Sequence, residues 1–510
     1  MSRSKSAPVV DVAIVGYGPV GAVAAALLGQ AGLKVQVVER QPEVYAIPRA
    51  ISLDHEVMRV FQQLGIADAV KPFTEPFTPS EWFGADGQLI RRMTMLAPPY
   101  PQGFTPSLVF TQPEVERVLR ERVAQLANVR VALGVEARAL VQDAEGVTLT
   151  LQGDDGKTST QRARWVIACD GGASRVREWA GITLDDLDFD EPWLVVDLHV
   201  NERGLAKLPR TSVQFCEPER PCTMVIGPGS HRRWEISLNP GEDALSAATP
   251  AGTWQLLSRW LTPEDGQLWR QASYRFHALV AQQWRAGRIF LAGDAAHMQP
   301  PFLGQGMCQG VRDAVNLAWK LAAVQHGEVR GAAAQRLLDS YGVERALHVR
   351  TLTERLKAMG AIICERDPAK ARARDARLLA ECGGVVVDTP RQDVLPRLEV
   401  GVLARQDTTG RGCLFPQPLL HLGCLMDELL GGGWRLVLFG EPLDVKLTPD
   451  VSVLELGAEG HVEAEGVIAA WMQRHACTAA LLRPDHYVFG TAATAEEVED
   501  LLAQRQAMLA

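Results

Sequence analysis

At 510 residues the chain exceeds what one hydrophobic core can hold and predicts two to four domains, and its 47% hydrophobic and 22% charged residues exclude a disordered chain. A net charge of −9 argues against nucleic acid as the main partner, because phosphate binding needs a basic face, and no apolar run is long enough to span a bilayer. The nine cysteines contain no CxxC pair and the 11 histidines show no ligand spacing, which predicts a reduced, cytoplasmic setting and no metal.

The basic start, MSRSKSAPVVDVAIVG, is broken by Asp11 and runs straight into glycines, so it reads as a strand and not as a secretory signal. Val9 to Val15 is a β-branched run suited to a buried parallel strand. Gly16, Gly18 and Gly21 follow in GxGxxG spacing, then an alanine-rich helix, Gly32 as its stop, and a second strand from Val35 to Val38. Each part has a task. Gly16 permits the tight turn, Gly18 lets the backbone approach a pyrophosphate, and Gly21 lets helix and strand pack closely. The helix start offers free N–H groups to phosphate, and Glu39 stands where a carboxylate accepts bonds from a ribose diol.

Pro42 and Pro48 mark a loop that carries Arg49, and Asp54 to Leu64 predicts a helix stopped by Gly65. Residues 71–110 read as irregular structure with short strands. Thr111 predicts an N-cap, with Pro113 and Glu114 in the first turn of a helix to about Ala127. Strand patterns around Val129–Val135, Ala137–Gln142 and Val147–Leu151 suggest a meander. Trp165 to Cys169 reads as another buried strand, ended by the turn Asp170-Gly171-Gly172, with a helix from Ser174 to Ala180. Ligands of open α/β sheets bind at such carboxyl ends.

From about residue 182 the pattern becomes alternating, through LVVDLHV, TSVQFCEP, CTMVIGPG and HRRWEISL, and predicts an antiparallel sheet with one face free for a ligand. Helical pieces are expected from Gly252 to Arg270. On HRRWEISL, Arg232 and Arg233 point to opposite faces, so at most one can meet a substrate carboxylate. The stretch GRIFLAGDAAHMQPPFLGQGMCQGVRDAVNLAWKLAAV then places a strand at Ile289–Ala292, a turn at Gly293-Asp294, a rigid Pro300-Pro301 loop and a long helix after Gly306. Gly304, Gly306 and Gly310 have the wrong spacing for a second dinucleotide fingerprint. The helix start at Met307 and Cys308 can favour an anion. Residues 331–385 predict helix and 386–412 loop. WRLVLFG, VSVLEL, a helical run near Gly466–Gln473, HYVFG and a closing helix opened by a Thr494–Glu497 capping box predict a small α/β unit.

Together, the fingerprint with Glu39, the CDGGASRVR turn and GDAAH…PPFLGQGM resemble the FAD-dependent aromatic hydroxylases, which are single-component flavoprotein monooxygenases. QFCEPERPCTMVIGPGSHRRWEISL and PPFLGQGMCQGVRDAVNLAWKL are most similar to the 3-(3-hydroxyphenyl)propionate hydroxylase group, and RGCLFPQP, WRLVLFG and LLRPDHYVFG to its thioredoxin-like C-terminal domain. The resemblance implies an α/β protein in four segments. These are a Rossmann-like FAD-binding domain in two parts (1–181 and 281–395), a substrate-binding sheet domain (182–280) and a thioredoxin-like domain (396–510). It implies FAD contacts from Gly16, Gly18, Pro19, Gly21, Glu39, Arg40, Arg49 and Gln112, and from Asp170, Gly171, Gly293, Asp294, Pro301, Gly304, Gly306 and Met307. NADH or NADPH and O2 are the expected co-substrates, and 3-(3-hydroxyphenyl)propionate or 3-hydroxycinnamate, giving the 2,3-dihydroxy product, is the expected phenol. A homodimer is allowed; a membrane or nucleic-acid partner is not.

The resemblance names no catalytic base. His297, Arg233 and Tyr274 are the candidates, with His297 read mainly as structural, and Arg275 and His277 stand beside them. Without a CxxC the C-terminal unit is expected to have no redox activity. A dehydrogenase binding NAD alone would explain the fingerprint but not GDAAH with PPFLGQGM. A flavin oxidase or reductase without oxygen transfer, a hydroxylase of another phenol or polyketide-like aromatic, and a non-catalytic flavin-binding protein are the remaining alternatives.

Overall fold

A computed structural model describes residues 9–457 and 460–510, so the basic start of the chain lies outside the described residues. Five parallel strands build the first sheet, in the order Ile289–Leu291, Thr158–Ala168, Val10–Val15, Val35–Glu39 and Val129–Leu133. Buried on both faces, such strands must be almost wholly apolar, as VDVAIV is. The expected meander hangs from this sheet as the antiparallel pair Val135–Gln142 and Val147–Gly153. The helix Pro19–Gln30 is alanine-rich because it is buried between the sheet and the helix Gly306–Gln325. A Cβ on Gly310 would lie 2.4 Å from Val20 and 3.1 Å from the Gly293 backbone, so the third glycine of that stretch serves helix packing.

The second sheet has nine strands, with Leu184–Val200, His231–Ser237, Cys222–Ile226 and Ser212–Phe215 in its middle and Gly266–Ala281 beside Leu184–Val200. Two findings depart from the sequence reading. Residues 266–270, expected to be helical, begin the long strand Gly266–Ala281, because they pair with His199 and Val200 across the sheet. The stretch 71–110, read as irregular structure with short strands, has them, and supplies Ser80–Phe83 and Leu89–Thr94 to this sheet, so the sheet is not built from 182–280 alone. The place of these short strands in this sheet lies beyond local pattern reading, because Ser80–Phe83 pairs with Ser212–Phe215, about 130 residues away, and Leu89–Thr94 with Ser80–Phe83 and the distant Asp388–Pro390.

Smaller expectations resolve in both directions. Asp54 caps the helix His55–Gln63 by accepting the N–H of Val57, and Thr494 with Glu497 forms the capping box of Ala495–Leu509. Thr111 is the N-cap residue of Gln112–Ala124, but its hydroxyl makes no capping bond. The C-terminal sheet has a fourth strand, Ala479–Leu482, placed between Trp434–Phe439 and Val488–Ala492; the small residues of its CTAALL segment hid it. This unit is locked to the rest by buried charge. Glu344, on the 33-residue helix Gly331–Ile363, takes Lys320 at 2.8 Å and Arg483 at 2.7 Å.

Candidate active site

Strand alternation sorts the second sheet into two faces. Leu194, Val196, Val213, Cys222, Met224, Trp234 and Ile236 point into one apolar cluster covered by short helices. The residues between them, Val195, Gln214, Thr223, Val225, Arg233 and Glu235, line a cavity of about 630 Å3 on the opposite face. The far wall comes from the first unit and from the Pro-Pro loop, so the cavity lies between the carboxyl ends of the parallel strands and the antiparallel sheet.

At the parallel-sheet end the three fingerprint glycines are distinguishable by what a side chain would strike. A Cβ on Gly16, whose φ is +100°, would lie 2.3 Å from the Cys169 carbonyl oxygen, and one on Gly21 would lie 2.1 Å from that of Gly16. A Cβ on Gly18 would meet nothing within 4 Å. Gly16 and Gly21 are therefore needed by the protein itself, while Gly18 faces open space that a pyrophosphate can fill. Gly18 and Pro19 line the cavity at the start of the helix Pro19–Gln30. Glu39 holds the turn together, since its carboxylate accepts the N–H of Tyr17 at 2.7 Å and of Gln41 at 2.8 Å. Glu39 and Arg40 stand at the end of the second strand, off the cavity wall.

The loop bearing Arg49 is pinned by Gln112, whose Oε1 accepts the N–H of Arg49 at 2.8 Å and of Ala50 at 2.7 Å. Both residues line the cavity. Gly171 also lines it, with φ +85°, but Asp170 is turned inward: it accepts the Ser174 hydroxyl at 2.5 Å and the Val176 N–H at 3.2 Å. Asp170 thus shapes the turn instead of facing the cavity.

Asp294 does the reverse. Its side chain is open to the cavity and makes no hydrogen bond to any described residue. The turn that presents it is fastened from behind by Asp313, which accepts the Gly293 N–H at 2.9 Å and pairs with His297 Nε2 at 2.8 Å and Arg345 Nε at 2.8 Å. Pro301, Gly304, Gly306 and Met307 complete this wall, and Leu303 between them is held at φ +66°, a strained value for a leucine. The helix Gly306–Gln325 thus begins at the cavity, with its free N–H end toward it.

The three candidates for catalysis separate. His297 is buried, paired with Asp313 and stacked on Trp284 at 5.4 Å between ring centres, which ties it into the frame of the turn. Arg233 faces the cavity side while Arg232 points away to the carbonyls of Gly229 and His231. The Arg233 guanidinium is already engaged, with Nε 2.8 Å from Asp197 Oδ1 and Nη1 donating to the Arg49 carbonyl at 2.8 Å. Tyr274 is 40% exposed and its hydroxyl accepts from Arg270 at 2.6 Å. Arg275 and His277 both lie beside Asp190.

Two lining residues were not legible. Glu235 is 9% exposed, and burial lifts its carboxyl to about 7 against Arg233 and with Asp197. Arg391 is buried with its guanidinium 4.0 Å over the Phe77 ring and donates to the Leu303 carbonyl at 3.1 Å. Burial lowers it to about 10, and no described carboxylate is within ion-pair distance of it. The alternation Arg233-Trp234-Glu235-Ile236 could have singled out Glu235, because it puts two charges on one face of a strand whose other face is apolar. Arg391 opens the short 3-10 helix Arg391–Val394, in a stretch read from the sequence as loop, and carried no signal.

Residues 9–356 match the family model described as an FAD binding domain. The chain is 37% identical over 521 residues to a probable NADH-specific resorcinol 4-hydroxylase of Rhodococcus jostii (strain RHA1), covering 98% of this chain and 95% of that one. It is 32% identical to a 3-(3-hydroxy-phenyl)propionate/3-hydroxycinnamic acid hydroxylase of Mycobacterium sp. (strain KMS), covering 94% and 88%. Among solved structures, the flavin-dependent monooxygenase PieE, in complex with FAD and substrate, has a TM-score of 0.81 at 22% identity, with 99% of each chain covered, a likeness of fold.

Proposed function

This chain belongs to the FAD-dependent aromatic hydroxylases, and from that premise we propose that it hydroxylates a small phenolic acid of the 3-(3-hydroxyphenyl)propionate or 3-hydroxycinnamate kind, with NADH as reductant. The residues present fit FAD: the open space at Gly18, the pinned Arg49 loop, the unpartnered Asp294 and the helix start at Met307. Gly18 and Pro19 would receive its phosphates, Glu39 its ribose, Asp294 its ribityl chain, and Gly304, Gly306 and Met307 its ring. FAD held there would supply the redox chemistry, hydride acceptance from NADH and delivery of one atom of O2 to the phenol ring with the other leaving as water.

The protein's own task is to place the phenol and keep water from the reacting atoms. Trp82, Phe77, Phe276, Phe302 and Ile363 supply the apolar wall. The observation that carries the acid is Arg391, a buried cation on that wall that lacks a carboxylate partner and has a planar fork suited to one. A second reading is a neutral diphenol such as resorcinol. It is favoured by the sheet wall, where Ser212, Thr223 and Glu235 offer polar groups to hydroxyls.

The test is direct. The purified protein should be yellow, its NADH oxidation should rise with 3-(3-hydroxyphenyl)propionate, and a catechol should accumulate. A rise with resorcinol alone selects the second reading. Peroxide without hydroxylated product from either phenol would overturn both.

A further inference from the structure

We propose that Glu235 is the group that receives the phenolic proton of the substrate, which makes the sheet wall and not the GDAAH turn the seat of substrate activation. The inference rests on the reading of the cavity as a phenol hydroxylase site. Of the residues lining the cavity only Glu235 and Asp294 carry carboxyls, and Asp294 belongs to the wall that fits the cofactor. Glu235 sits on the strand His231–Ser237, directly across from Thr223 on one side and Val195 on the other. No described residue hydrogen-bonds its carboxyl, whereas the cavity-side groups beside it are engaged elsewhere. Thr223 donates to Gln214 Oε1 at 2.7 Å, Gln214 donates to the Cys222 carbonyl at 3.0 Å, and Arg233 holds Asp197. The Glu235 carboxyl oxygens open onto the cavity, where a hydroxyl of the ligand can reach them.

The charged groups facing Glu235 are Arg233 on its own strand, Asp197 on Leu184–Val200 and Arg270 on Gly266–Ala281. Asp197 is paired with Arg233 and His231, so it does not compete for the proton. In the step proposed, the phenol O–H bond breaks, the proton bonds to a Glu235 carboxylate oxygen, and the electron pair stays on the phenolate oxygen. Total charge is unchanged, so the transfer adds no charge to the enclosed site. Electron density pushed into the ring makes its ortho and para carbons nucleophilic. A carboxyl lifted toward neutrality by burial is matched to that transfer.

The test compares the FAD-loaded wild type with Glu235→Gln and Glu235→Asp. For an un-ionised phenol, Glu235→Gln should lower kcat on the order of 100-fold and remove the acid limb of the kcat/KM profile, with Glu235→Asp retaining part of both. A ring-fluorinated analogue of the same phenol, ionised at the assay pH, should restore most of the lost rate. In the oxidised holoenzyme, without NADH, the Kd of the un-ionised phenol should weaken roughly tenfold in Glu235→Gln, while that of the ionised analogue should not weaken. An unchanged pH profile overturns the proposal, as does equal loss for ionised and un-ionised phenols. If the wild type holds FAD but hydroxylates neither phenol, the functional reading fails, and the Kd comparison alone decides the role of Glu235.

Discussion

Arg233 and Asp197 meet across neighbouring strands in a two-bonded pair, Nε to Oδ1 at 2.8 Å and Nη2 to Oδ2 at 3.1 Å, with His231 Nε2 a further 2.7 Å from Oδ1. Asp197 is fully buried at the base of the cavity face. Burial opposes its charge, but Arg233 and His231 outweigh burial and hold it at about 2. Asp197→Ala should therefore cost about 3–5 kcal/mol, because it strands a buried guanidinium. A depressed acid stabilises above its ordinary value of 3.8 and loses that contribution as the pH falls toward about 2. Urea melts of wild type and variant should differ most at neutral pH and converge on acidification; a pH-independent gap would count against the pair.

Glu235 has the opposite sign. Its folded value of about 7 lies above the ordinary 4.5, so the folded state keeps a proton that the unfolded state has released between those values. Stability falls as the pH rises through that window. Glu235→Gln should thus melt higher than wild type above about pH 7, by up to about 3 kcal/mol, and equally below about pH 4.5. Stabilisation with loss of activity is the expected signature of a carboxyl kept for chemistry. Destabilisation at neutral pH would show instead that its charge is paired.

The fingerprint glycines should fail differently. Gly18→Ala points its methyl group into open space, so the apoprotein should melt near wild type while FAD binding weakens severalfold or more. Gly21→Ala drives a methyl group to 2.1 Å from the Gly16 carbonyl oxygen and should reduce soluble apoprotein itself. Flavin release and thermal melts of the apoproteins separate the two effects; identical behaviour would refute the assignment.

Glu344 joins the C-terminal unit to the helices behind the cavity. Burial raises its carboxyl, but Arg483 and Lys320 outweigh burial and hold it at about 2. Glu344→Ala leaves Lys320 with no other carboxylate partner among the described residues, and should cost about 3–5 kcal/mol. Limited proteolysis should then cut between Ile363 and Trp434 sooner than in wild type. Unchanged protection would mean that apolar packing alone holds the unit.

Local chemistry is what made much of this protein legible. A β-branched run, three spaced glycines and a terminal acid are read within some thirty residues; Gly16 makes the tight turn expected of it and Gly21 the close packing, while Glu39, expected at a ribose diol, accepts the Tyr17 N–H. The helix from Asp54 and the capping box at Thr494 were legible for the same reason. The strand Ala479–Leu482 was not, and neither was the sheet that the short strands of 71–110 join, because both come from partners elsewhere in the chain.

The sequence by itself determined the family, the apolar strands and the glycine turn after the first of them, since a strand's apolar run and a turn's backbone conformation depend on near neighbours. Only the tertiary structure decided which charges are spent and which are free. It paired Arg233 with Asp197 and His297 with Asp313, turned Asp170 inward, and left Glu235, Asp294 and Arg391 facing a cavity without partners of opposite charge. The physical reason is that a charge's role depends on distance and dielectric, and both are set by folding residues far apart in sequence into one enclosed space.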